Sequence, residues 1–108
     1  MFHYTNKTGF NGVRSQLVWL FKAMKPPCEH PLGAYFTDLD DRTHNLANRL
    51  RIPKEKTEYL FQFIDSGDLK AIPGARGRHI FYSSLDYPVE PGRQVRHGPS
   101  GLEGGAGT

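Results

Sequence analysis

Three residues of unlike chemistry stand at the ends of strand-like segments: His3 in "FHYT", Tyr35 in "GAYFTD" and Glu90 in "YPVEPGRQVRHG". Together they would make a ligand clamp. The reading rests on their joint placement at strand edges rather than on any one of them. Taken singly, each has an ordinary reading as well. His3 suits an edge strand, Tyr35 suits a core, and Glu90, between Pro88 and Pro91, suits a solvated loop.

Other chemistries find less support. His30, His44, His79 and His97 lack metal-ligand spacing, so no metal site is expected, and these histidines read as surface or supporting groups. The single cysteine, Cys28, follows Pro26-Pro27 in a loop and permits no internal disulfide. The net charge is +3, with basic residues scattered and no block of five like charges. That favours a solvated surface, or a polyanionic small ligand, over a dedicated nucleic-acid face. Arg76, Gly77 and Arg78 form a basic turn that reads either as a pyrophosphate clamp or as an exposed loop. No apolar stretch nears the roughly 20 residues of a membrane span, and no secretory signal layout is present. The chain reads as soluble and without a membrane partner.

Short elements must carry these residues, because 12 Gly and 8 Pro interrupt a chain of 108 residues. Seven Phe and five Tyr must supply much of the core. Residues 2–5 read as a strand. Thr8 is expected to cap a helix running through Phe10, Val13 and Leu17. The apolar run "LVWLFKA" either finishes that helix or begins a strand. "GAYFTDL" reads as a strand. "DDRTHNLANRL" reads as a helix capped by Asp40 or Asp41, with a Leu46-Ala47-Leu50 stripe, ended by Pro53. "TEYLFQFI" predicts a strand with Tyr59, Phe61 and Phe63 on one face and Leu60 and Ile64 on the other. Short strands follow in "SGDLKAI" and "HIFYSS". The expected fold is α+β: two short helices beside a mostly antiparallel sheet, one domain over 1–97, then a disordered Gly-rich tail over 98–108.

Four motifs in order, "HYT" (3–5), "GAYFTD" (33–38), "FQFID" (61–65) and "GRQVRHG" (92–98), carry a resemblance. The chain resembles the ADP-ribosyltransferases of the His-Tyr-acid class, which includes the poly-ADP-ribose polymerases. Within that class it is similar to the HYD-signature branch, small domains known mainly from bacterial polymorphic toxins. The resemblance covers residues 2–98. It implies a small split antiparallel β-sheet and NAD as substrate. The class breaks the nicotinamide–ribose bond through an oxocarbenium-like ribose, so it must hold the ring, fix the ribose and place negative charge nearby.

By that resemblance, His3 would donate to a hydroxyl of the adenosine-side ribose, the Tyr4 backbone would pair with the carboxamide, and Thr5 would steady the neighbouring ribose. Tyr35 would stack on the nicotinamide and Glu90 would serve as the catalytic acid, with Asp38 and Asp65 as alternatives. Thr43 falls where relatives place a hydroxyl for the carboxamide. Leu46 falls where they place a second aromatic, which it cannot replace in stacking. The implied activity is mono-ADP-ribosyl transfer by a toxin or effector domain, cytoplasmic or secreted and acting in a target cell. The acceptor would be a protein, nucleic acid or small molecule, and an immunity protein is a further implied partner. Alternatives are NAD hydrolysis, with water as acceptor, and a binding module for NAD or ADP-ribose without turnover. A small basic nucleic-acid-binding domain is a third class.

Overall fold

The first apolar alternation, Phe2 and Tyr4 against His3 and Thr5, sets a strand with two useful faces, and the rest of the chain is arranged around it. The computed structural model describes residues 1–25, 31–72 and 79–100. Its strands are β1 (Phe2–Thr5), β2 (Trp19–Phe21), β3 (Ala34–Thr37), β4 (Tyr59–Phe63), β5 (Lys70–Ala71), β6 (Ile80–Ser83), β7 (Tyr87–Val89) and β8 (Gln94–Pro99). The helices are α1 (Lys7–Arg14) and α2 (Leu46–Leu50), with 3₁₀ turns at Lys54–Thr57 and Pro91–Arg93. A six-stranded sheet runs β5-β6-β3-β1-β4-β8 with every described pairing antiparallel, and β2 pairs with β7 in a second, two-stranded sheet. The result is a small α+β domain with two helices and a radius of gyration of 13.1 Å. No helix among the described residues is long and apolar enough to cross a membrane.

Register assigns side chains to faces. Cross-strand partners share a face, and alternate residues reverse it. His3 pairs with Phe61, which pairs with His97, so these three share one face with Phe63. The β2–β7 sheet covers that side, with Trp19, Phe21, Tyr87 and Val89 turned inward. α1 joins it through Phe10, whose ring centroid lies 4.7 Å from Tyr59 and 5.2 Å from Phe61. Arg93 ties the layers by reaching over the rings of Phe63 and Tyr87 and donating to the Tyr87 hydroxyl at 2.7 Å. The opposite face carries Phe2, Tyr4 and Leu60 beneath Leu46 of α2. We call these the hairpin face and the helix face.

Several local expectations change. α1 is capped by Asn6, whose side chain accepts from the Gly9 N–H at 2.9 Å, and not by Thr8. The helix stops at Arg14, and Leu17 is 78% exposed. "LVWLFKA" resolves to a strand, because Trp19 and Phe21 alternate into the aromatic core while Leu20 faces out. α2 begins at Leu46 rather than at the aspartates, because Asp40 accepts from the Arg42 N–H and builds a turn instead. Ile64 falls just beyond β4 and is exposed. β8 continues through Gly98 and Pro99, and Ser100 donates its N–H to the Glu58 carbonyl at 2.8 Å. The ordered domain therefore passes the expected boundary at 97. Gly33 is required by close approach, since a Cβ there would sit 2.6 Å from the Ser83 carbonyl oxygen. The Cys28, His30 and Arg76–Arg78 readings and residues 101–108 of the tail lie outside the described residues.

Candidate functional site

The sheet is incompletely zipped between β1 and β3. β1 pairs with β4 at all four of its residues but with β3 only through Phe2 and Thr37. The pairing period fixes what this exposes. Met1 and Phe63 exchange N–H to carbonyl bonds at 2.9 and 3.0 Å, so Met1, His3 and Thr5 direct their backbone groups at β4. Phe2 and Tyr4 therefore direct theirs at β3. Phe2 meets Thr37; Tyr4 has no partner opposite it in β3. Its N–H and C=O form one donor and one acceptor side by side, aimed across the joint at β3, the pattern that complements a primary carboxamide.

His3 borders this opening. Its Nδ1 lies 2.9 Å from the Tyr35 carbonyl oxygen, which can only accept, so Nδ1 carries the proton and Nε2 is left as an acceptor. The ring packs beside Phe21, Phe36 and Phe61, with centroids at 4.6, 5.6 and 6.5 Å. Desolvation in that aromatic setting pushes the His3 pKa below its usual value, partly opposed by the bond to Tyr35. The imidazole is therefore neutral near pH 7. The Nδ1–H is committed to the Tyr35 carbonyl, so the ring does not offer the free donor that the resemblance implies for His3.

The other expected site residues are distributed differently from the clamp. Two steps of register from the Phe2–Thr37 pair put the Tyr35 side chain on the helix face, opposite His3. Its ring stacks on Tyr82 with centroids 5.9 Å apart, and its hydroxyl donates to the Pro31 carbonyl. The Tyr4 ring is also on the helix face, where its hydroxyl donates to the Leu39 carbonyl at 2.8 Å and burial pushes its pKa well up. Thr5 lies under α1: a Cβ on Gly9 would collide with its Oγ1. Thr43 closes the turn on Asp40, with its N–H on the Asp40 carbonyl at 3.1 Å and its hydroxyl 3.4 Å from the carboxylate. Leu46 is 1% exposed and serves the core with Phe2, Tyr4 and Leu60.

Glu90 does not reach this group. It is exposed at the end of β7, capping the Pro91–Arg93 turn on the outer layer. Its neighbour Val89 pairs with Trp19, and the Val89 carbonyl accepts from Gln94 of β8, so Glu90 belongs to the β8 side of the molecule, beyond β4 from β1. The convergence of His3, Tyr35 and Glu90 on one cleft is thus corrected. Strand parity separates the first two, and the second sheet carries the third away.

Sequence reading missed a polar cluster on the helix face. Asp41 is buried and held by Arg96, with Nη2–Oδ1 at 2.8 Å and Nη1–Oδ2 at 3.4 Å, while Arg96 Nε donates to Gln62 at 2.8 Å. The guanidinium pKa rises, chiefly from that bond to Asp41. Phe2, Gln62 and Arg96 sit in one row across β1, β4 and β8, and with Asp40, Asp41 and Arg42 they line a cleft of about 470 Å³. The pairing joins positions 55 residues apart, and no spacing signal announces it.

Comparisons place no relative beside this arrangement. No protein-family model, curated protein or solved structure matches the chain. Among the described residues, no group of three or more His, Cys, Asp and Glu side chains could hold a metal ion.

Proposed function

We propose that this chain is an NAD-dependent mono-ADP-ribosyltransferase domain that docks nicotinamide at the opening between β1 and β3. One observation carries the reading: the Tyr4 N–H and C=O point at β3, where the described register holds only the Phe2–Thr37 pair. A carboxamide placed on that edge would replace the missing ladder bonds, and buried backbone groups favour such replacement. The resemblance implies a split antiparallel sheet, and the single registered pair between β1 and β3 supports that reading. Tyr35, beyond the gap, supplies an aromatic wall with Tyr82 on the helix face. Glu90 has no part in this reading. The carboxylate nearest the joint in sequence is Asp38, directly after Thr37.

Bond breaking would release nicotinamide with the electron pair of the C–N bond and pass ADP-ribose to an acceptor, either a macromolecular group or water. The test is incubation with NAD followed by separation of nicotinamide, free ADP-ribose and modified acceptor. In parallel, an amide-proton spectrum should show the Tyr4 resonance moving when nicotinamide is added. An unmoved Tyr4 resonance together with no NAD binding by calorimetry removes the reading.

A second reading, NAD binding without turnover, has its own observation. The His3 imidazole is packed among phenylalanines and committed to the Tyr35 carbonyl. Tight NAD binding with no nicotinamide release would select it.

A further inference from the structure

Resting on the NAD reading above, we infer that Asp38 and His79 form a carboxylate–imidazole dyad that deprotonates the acceptor, and that the acceptor is therefore a protic oxygen, water or an alcohol. Asp38 follows Thr37, and His79 precedes Ile80, the residue paired with Thr37, so the two stand opposite each other at one end of the β3–β6 ladder. His79 Nδ1 lies 2.9 Å from Asp38 Oδ1. A carboxylate only accepts, so Nδ1 holds the proton and Nε2 presents its lone pair. Nε2 has no hydrogen-bond partner among the described residues. Both side chains remain accessible, 38% for His79 and 49% for Asp38. The dyad lies one residue beyond the Phe2–Thr37 pair, which closes one end of the proposed nicotinamide opening.

His79 occupies the left-handed region with φ of 67°. A side chain larger than glycine is strained there. A hydrogen-bonded pair as exposed as this one adds little to stability, so stability does not account for holding an imidazole in that conformation. Positioning a base against a carboxylate does account for it. In the proposed step the acceptor oxygen bonds to the ribose anomeric carbon as the carbon–nitrogen bond to nicotinamide breaks. The pair of that bond leaves with neutral nicotinamide. The acceptor proton passes to His79 Nε2, and the imidazolium, steadied by Asp38, later returns it to solvent. A carboxylate acceptor has no proton to lose and would gain nothing from this base.

The test uses His79→Gly, which suits the positive φ and should keep the melting temperature at or above that of the wild type. NAD binding by calorimetry should persist, while nicotinamide release falls by about 10² or more, the usual yield of a positioned general base. Added imidazole should restore part of the rate, and restore less in the His79→Gly/Asp38→Asn double variant. Release within about twofold of wild type in His79→Gly overturns the dyad and leaves the NAD reading standing. Loss without imidazole rescue, or equal rescue in both variants, overturns it too. A wild-type chain that neither binds nor cleaves NAD removes both.

Discussion

On the hairpin face, Trp19, Phe21, Phe36, Phe61 and Phe63 interlock with ring centroids between 4.9 and 6.2 Å, and the second sheet seals them. On the helix face, a four-residue apolar cluster sits beneath a turn rich in aspartate, and its rim is an ion pair beside an open cleft. The first face is dry and densely aromatic, and its role is to make the fold stable. The second is thinly covered and polar at its margin, with room for a ligand. The same β1 strand serves both, because alternation sends His3 and Thr5 one way and Phe2 and Tyr4 the other. A residue's face therefore tells more about its role than its chemical type does. His3, reactive in type, lies on the structural side, where its ring packs with phenylalanines.

The largest test of this contrast is Phe61→Ala. Phe61 is 0% exposed at the centre of the hairpin face, and truncation should cost about 3–5 kcal/mol in denaturant unfolding. A cost no greater than that of removing an exposed side chain would break the contrast. Asp41→Asn probes the helix-face rim. Because Arg96 is about half exposed, the usual cost of breaking a buried pair is discounted to roughly 1–2 kcal/mol. The loss should shrink as salt is raised, when the wild-type pair is itself screened.

His3 gives a pH test of comparable size. Its folded pKa lies below the ordinary 6.5, so the unfolded chain binds the extra proton first as pH falls. Stability is unaffected by this group above about pH 6.5. Below that value it declines by up to about 1.4 kcal/mol per pH unit, until the folded pKa is reached. Thermal melts from pH 7.5 to 5 should show the decline, and His3→Gln should flatten it. An unchanged slope in the variant would place the imidazole in water rather than among the rings. The smallest expected effect is that of Glu90→Gln. An exposed residue on the outer layer should change stability by less than about 0.5 kcal/mol. Nicotinamide release should also be unchanged, and a large loss there would restore Glu90 to the site.

Alternation made much of the fold readable. Tyr59-Leu60-Phe61-Gln62-Phe63 announces a strand with one aromatic face, and that strand is β4, paired on both sides. The helices were harder. Asp40 and Asp41 look like caps, yet one builds a turn and the other is held by Arg96, so α2 starts later, at Leu46, after an Asn45 in the left-handed region. Local propensity cannot see a partner from β8.

By itself, the sequence determined which residues alternate, where glycine and proline interrupt them, and that an aromatic core must carry a small α+β domain. The tertiary structure alone decided which face each residue meets, because one residue of register reverses every side chain and no local signal sets register between strands thirty residues apart. It therefore decided that His3 and Tyr35 part company across the sheet, that Glu90 stands on the outer layer, that the Tyr4 backbone is aimed at β3, and that Asp38 meets His79 at the end of the β3–β6 ladder.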